Sequence, residues 1–237
     1  IIAMFVKNNA RFAMQNIIEF LKQLRLHNDR TWFEANKSWY RDAQSQFAAF
    51  VEELIAGIAR FDSSVQGLAA KDCTYRIYRD TRFSADKTPY KTHMGAYVCR
   101  GGKKSGFAGY YFHVEPQSDA PGGYLLSAGI YMPDRDVLES IREEILDNGA
   151  AFEASVKRAK GFRLYQGNKL KKFPAGFTAE GAYSDYLKLK DFYLEKFVDE
   201  DYMLQPDLAR KAAADFKKTF DFNERLNRAA AYAFENR

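Results

Sequence analysis

GYYFHVEPQSDAPGGYLLSAGIYM, residues 109–132, holds two runs rich in β-branched and aromatic residues, 109–115 and 123–132, with Pro, Ser, Asp and Gly between them. That is the composition of two strands and their connection. Upstream, CTYRIYR (73–79) and HMGAYVC (93–99) read the same way. Connections near ten residues are too short for helical crossovers, so the four strands are expected to form a mostly antiparallel meander. GGKKSG (101–106) is the loop of one hairpin.

On either side of the strands the apolar period changes. IIEFLKQL (17–24) is helical, a turn follows at 27–30, and a long helix is expected over 31–61. There Phe47, Phe50, Val51, Leu54, Ile55 and Ile58 form a broad apolar stripe. Asp29 or Thr31 caps it, with Glu34 three residues after Thr31 closing a capping box. Trp32, Asn36 and Tyr40 share one face of this helix as a packing stripe. After Met132, helices are expected over 134–146 and 151–160, and an irregular connector over 161–181. DFYLEKFV (191–198) is a fifth strand, and helices over 206–218 and 220–233 close the chain. The predicted fold class is α+β: a mostly antiparallel sheet of about five strands with N-terminal and C-terminal helices packed on one face. No repeat of 20 to 50 residues is present, which excludes solenoids and propellers.

At 237 residues, with 46% hydrophobic and 16% aromatic content, the chain can bury a core without covalent staples. Its 20 Phe and 15 Tyr make that core aromatic, and buried Tyr hydroxyls must find partners. Two cysteines, Cys73 and Cys99, argue against a disulfide framework and for a reducing compartment; buried inert thiols and a cytoplasmic location are expected. The opening apolar run, 1–6, is far short of the roughly 20 residues a membrane helix needs, and it matches neither a signal peptide nor a lipidation motif. Residues 1–13 are read as an N-terminal extension, with Met4 or Met14 as alternative starts, ahead of one α+β domain over 14–237.

Net charge is +5 but unevenly spread: between Lys71 and His113 nine Lys or Arg stand against three Asp. A one-signed field on an otherwise balanced surface suits an anionic partner. Strand alternation, with Ile77, Met94, Ala96, Val98, Phe112 and Val114 facing helices, turns Arg76, Tyr78, His93, Tyr97, Tyr111, His113 and Glu115 to the other face. That face has three readings. It is an ordinary polar sheet surface; or the floor of a pocket with Arg76, Arg79, Arg82, Lys87 and Lys91 clamping phosphate or carboxylate; or a metal site of His93, His113 and Glu115. No HxxxH or CxxC spacing supports the last, and no metal or other cofactor is assigned. His113 and Glu115 also form an acid/base pair, and His93 joins them as candidate catalytic residues. The loop over 80–92 is expected to fold over the sheet edge on Phe83 and Tyr90; the alternative is a surface loop in which Asp80 and Asp86 pair with Arg and Lys. GGKKSG lacks the phosphate-loop spacing, and GxSxG, HExxH and GxGxxG are absent.

The segments FL…NDRTWFEANKSWY, RIYRDTRFSADKTPYKTHMGAYV, GYYFHVEP, GIYMPDRDVLESIR and LKLKDFYLEK together resemble a family known as domain of unknown function 2461, over about residues 17–231. The resemblance implies no activity, substrate or cofactor. Its segments contain the candidate ligand-binding residues Arg76, Tyr78, Arg79, Arg82, Lys87, Tyr90, Lys91 and Tyr111, and the candidate catalytic residues His93, His113 and Glu115. Two functions follow from the residues: binding of an anionic small molecule in a basic, Tyr/His-lined pocket, with or without catalysis, or a module for nucleic acid or an acidic protein partner.

Overall fold

The computed structural model describes residues 2–82, 84–116, 123–178 and 181–236, with the side chains of 2–9 left aside. Phe83, expected as a loop anchor, lies outside the described residues. Helix α1 spans Ile2–Leu26, α2 Arg30–Ala35, α3 Lys37–Ile58 and α4 Ala70–Cys73. Strands β1 (Met94–Cys99), β2 (Gly109–Val114) and β3 (Tyr124–Ile130) follow, then helix α5 (Arg135–Arg158). Strands β4 (Arg163–Leu164) and β5 (Phe192–Phe197) precede α6 (Glu200–Met203), α7 (Leu208–Lys217) and α8 (Phe220–Glu235). The sheet order is β1-β2-β3-β5-β4 and every pairing is antiparallel, so the fold is α+β.

Three local expectations are corrected. The run 73–79 is not a strand of the sheet: Cys73 ends α4, and the following residues make only isolated bridges, Thr74 to Ala96 and Tyr78 to Tyr90. Only Ile77 reaches the core there, while Tyr75, Arg76 and Tyr78 are exposed, so too little apolar surface exists to hold a ladder. The expected strand over 191–198 is present as β5, and the place of the 73–79 run in the five-stranded sheet is taken by β4, two residues inside the connector. The helix expected over 31–61 breaks at Asn36 (φ −108°, ψ 19°), whose side-chain amide donates to the Trp32 carbonyl at 2.9 Å. Its start is capped by Asp29, which accepts from the Trp32 N–H at 2.9 Å. The two helices read over 134–160 are one helix kinked at Asn148 (φ −131°, ψ 32°).

Alternation along the strands decides the layering. Met94, Ala96 and Val98, then Tyr110, Phe112 and Val114, then Leu126, Ala128 and Ile130, then Phe192 and Leu194 are all buried. Registers such as Ala96 with Phe112, Phe112 with Leu126, and Ala128 with Leu194 put them on a single face. Helices α1, α3 and α7 pack with the β1–β2 half of that face, and α5 and α8 with the β3–β5 half. Buried phenols are satisfied as their burial requires: Tyr110 donates to Asp62 at 2.9 Å.

One buried carboxylate ties the C-terminal helices to the sheet. Asp215 accepts from Lys196 Nζ and Lys218 Nζ, each at 2.6 Å, and from the Tyr202 hydroxyl at 2.8 Å. Burial alone would raise its pKa, but these three donors outweigh it and hold the carboxyl below its usual 3.8. A carboxylate with a depressed folded-state pKa contributes stability above its unfolded value and loses it as pH falls through the folded value. Asp215→Asn is therefore expected to cost about 2 kcal/mol in urea unfolding at pH 7. The gap between the two proteins should narrow as pH drops below about 4; a cost that stays constant with pH would contradict this account.

Candidate functional site

The face turned away from the helices carries the odd-numbered residues of the strands. Tyr97 of β1, Tyr111 of β2, Leu125 and Ser127 of β3 and Tyr193 of β5 form the floor of a cavity of about 510 Å³. On the β1 side its walls come from Tyr75, Lys91, His93, Lys103 and Phe107; Tyr131, Met132, Pro133 and Asp134 follow β3 on the other side, and Phe234 packs edge-on to Phe107. Met132 has a φ of +50°, unusual for a residue with a side chain, and its N–H donates at 2.7 Å to the buried carboxylate of Asp191. Tyr97 is fixed by its hydroxyl, whose one proton lies between the carbonyls of Gly129 at 2.6 Å and Phe107 at 2.9 Å.

Lys91 and Lys103 are the lysines among the described lining residues, and Asp134 is the one acid. Lys103 donates to the Lys71 carbonyl at 2.8 Å. Lys91 has no ion-pair partner among the described residues; its ammonium lies 5.6 Å from the centre of the Tyr75 ring. Burial first, then the charges of Arg76 and Arg79, lower its pKa. The ammonium therefore sits in a positive field that an incoming anion would relieve.

At one end of the cavity is a cluster that register, not sequence spacing, creates. His113 pairs across the strands with Gly95, two residues beyond His93, and the two imidazole rings are 4.6 Å apart. Nδ1 of His113 lies 2.8 Å from the Tyr111 hydroxyl, and Nε2 lies 3.3 Å from Oε2 of Glu115. The other carboxylate oxygen of Glu115 accepts from the Thr92 hydroxyl at 2.6 Å. His93 has no hydrogen-bond partner among the described residues. Burial, reinforced by His113, pushes His93 down to about 4, which leaves its ring neutral at pH 7. The His113 hydrogen bond, together with that of Thr92, draws Glu115 down to about 2 against the opposing effect of burial, so it is an anion. A neutral imidazole, a second imidazole and a carboxylate side by side can relay a proton or ligate a cation.

Gly95 makes this geometry fit. A Cβ there would sit 2.6 Å from the Tyr111 hydroxyl oxygen, so only a bare backbone lets the phenol lie across β1 and meet His113.

The structure brings Lys91, His93 and Tyr111 to the cavity, with His113 and Glu115 adjoining His93. It does not bring the remaining candidates there. Tyr90 lies in the core at 4% exposure, its ring stacked on Phe33 at 3.9 Å and its N–H donating to Asn28. Tyr78 is exposed beside Phe33 and Tyr90. Arg79 donates to Asp86 and Thr88, Arg82 to Asp80 at 2.7 Å, and Lys87 to the Thr81 carbonyl at 2.9 Å. Arg76 is exposed near Lys91. Sequence reasoning missed Lys103, Phe107, Ser127 and Tyr193; carrying strand alternation from Tyr111 on to residues 125–131 and 193 would have found the last two.

The described arrangement spans residues from Tyr75 to Phe234, and the family comparison covers most of that range. The chain belongs to the conserved hypothetical protein family DUF2461. The match runs over residues 16–224, which takes in the whole sheet and the His93, His113 and Glu115 cluster. No curated protein and no solved structure matches the chain.

The pairing inside the basic loop has a direct readout. Asp86 is drawn down to about 2 by the Thr88 N–H first, then by Arg79 and the Thr88 hydroxyl. In NMR titration its carboxyl should reach its midpoint near that value, and Arg79→Ala should move the midpoint up toward 3.8. An unchanged midpoint in the variant would mean that Arg79 is not committed to the loop.

Proposed function

We propose that the protein binds a small carboxylated or phosphorylated molecule in the cavity on the open sheet face. The observation that carries this reading is the half-buried Lys91, without an ion-pair partner among the described residues, on the wall of a cavity whose floor is tyrosine-rich. The β1 side supplies Lys91 and Lys103, while the β3 and β5 side supplies Leu125, Tyr131, Met132 and Tyr193. A ligand with an anionic end and a flat apolar body fits that asymmetry: the ammonium groups take the charge and the rings cover the body.

His93, His113 and Glu115 adjoin the ligand's charged end on this reading, where they are placed to move a proton to or from it. The basic pocket is thus Lys91 and Lys103 rather than the arginines of the preceding loop. A cytoplasmic location belongs to the same proposal; it is supported by Cys73 and Cys99, which are unpaired and buried, in a chain with no described helix long and apolar enough to cross a membrane. A nucleic-acid or acidic-partner module stands second, because Arg79, Arg82 and Lys87, which would serve it, already have partners within their own loop.

Phenyl phosphate, which joins an anion to an aromatic ring, is the test probe, read by calorimetry against inorganic phosphate. Wild type should bind it more tightly than inorganic phosphate. Lys91→Met, which keeps a flexible unbranched stem but not the charge, should weaken binding about tenfold or more, the scale of one charge-assisted hydrogen bond. Arg79→Ala should leave binding within a factor of two or so, because that guanidinium is engaged elsewhere. Equal affinity in wild type and Lys91→Met would remove the proposal, as would a loss confined to Arg79→Ala.

A further inference from the structure

We infer that His93, His113 and Glu115 hold a divalent first-row transition-metal ion, zinc or ferrous iron in type, with its open positions toward the cavity. One donor atom from each of the three residues can be chosen so that all lie within 4.8 Å of one another. Ligands on one such ion are separated by roughly 3.0–3.4 Å, given metal–nitrogen and metal–oxygen distances of about 2.0–2.2 Å. His113 Nε2 and Glu115 Oε2, at 3.3 Å, already stand at that separation. His93 is the donor that must draw closer from within 4.8 Å, and among the described residues no hydrogen bond holds its ring elsewhere.

The surroundings carry the inference further than the three donors alone. Each of the two paired ligands has its remaining polar atom occupied in the way that orients a ligand. The Tyr111 hydroxyl is 2.8 Å from Nδ1 of His113, so with an ion on Nε2 the Nδ1–H donates to the phenol oxygen. The Thr92 hydroxyl donates to Oε1 of Glu115 at 2.6 Å, leaving Oε2 for the ion. Two imidazoles among three donors favour a transition metal over magnesium or calcium, which take oxygen ligands.

Three protein ligands leave coordination positions unfilled, the pattern of a catalytic rather than a structural site. His93 lines the cavity, so those positions face the space assigned above to a ligand's anionic end. The inference does not rest on that assignment: an ion is held by the three side chains whether or not a phosphate or carboxylate binds.

The test is metal emission on the full chain as purified, followed by titration of the chelator-dialysed protein with Co²⁺, whose visible absorption reports nitrogen and oxygen coordination. One equivalent should bind and be displaced by Zn²⁺. His93→Gln and His113→Gln should each weaken Co²⁺ binding by at least about a hundredfold, and Tyr111→Phe and Thr92→Val by about tenfold, the range typical of groups that orient a ligand. Circular dichroism melts confirm folding; if one ligand variant does not fold, the Tyr111→Phe and Thr92→Val series still decides. Absence of stoichiometric Co²⁺ and Zn²⁺ binding by wild type overturns the inference, and so does binding undiminished in the folded variants. Phenyl phosphate binding without metal binding would overturn this inference alone and leave the pocket proposal standing.

Discussion

Pleat parity, enforced by burial on one side of the sheet, is the constraint on which the rest of the structure depends. Phe112, Leu126, Leu194 and Phe192 are at 0% exposure on the helix-covered face. Each large apolar side chain so buried contributes roughly 1.5–3 kcal/mol relative to exposure. A one-residue slip of β2 against β1 would turn Phe112 outward and His113 inward, losing that burial and burying an imidazole without its partners. The polar cluster is therefore held in place by apolar contacts on the opposite face, which it never touches. Gly95 belongs to the same constraint, since it stands opposite His113 and leaves room for the Tyr111 ring.

Electrostatics divides the molecule differently from a residue count. The stretch 71–113 holds the basic excess of the whole chain, yet much of it is consumed close by. Asp80 takes Arg82, Asp86 takes Arg79, and a backbone carbonyl takes Lys87. Exposed pairs of this kind add little to stability, but they lower the charge available to a partner. What remains on the cavity wall, beside Lys103, is Lys91, repelled by its neighbours and without an ion-pair partner among the described residues. On the proposed reading, two ammonium groups at one end of a tyrosine-lined floor would discriminate among ligands better than a diffuse basic surface, because the partner must also match the shape around them.

The sequence made the central three strands, their antiparallel order and their two faces legible, because alternation survives wherever one face is buried. The alternation that sends Met94, Ala96 and Val98 inward also sends Tyr97, Tyr111 and His113 outward, so the heart of the site could be read before any coordinates. The segment 73–79 misled for a physical reason: Tyr75, Arg76 and Tyr78 have strand-like composition, but once Cys73 has closed α4 only Ile77 finds core to pack against. Tyr90 was misplaced with them, since its burial follows from stacking on Phe33, fifty-seven positions earlier in the chain, and no local pattern reports that. The pairing of Arg82 with Asp80 was open to inspection as one of two readings of the loop. His93 and His113, twenty residues apart, meet only through register, which is why no local ligand spacing supported the metal reading of them.

Topology explains why the cavity lies where it does. The helical segments before β1, between β3 and β4, and after β5 pack against one face, so the other is walled mainly by what leaves the strand ends, joined by Phe234 of α8 against Phe107. Those walls differ in kind. On the β1 side they are residues 75, 91–93 and 103–107, cationic and tied back by Lys103 to the Lys71 carbonyl. After β3 they are Tyr131 to Asp134, in a turn whose strained Met132 is held by the buried carboxylate of Asp191. Asp191 also accepts from Asn168 at 2.7 Å, so a residue in the irregular connector helps set the shape of the far wall. A rigid floor with separately anchored walls lets the walls change without disturbing the sheet. On the proposed ligand-binding reading, chemistry common to the ligands is then expected from the floor and the His93 end, and selectivity among them from the segment after β3 together with the connector that braces it.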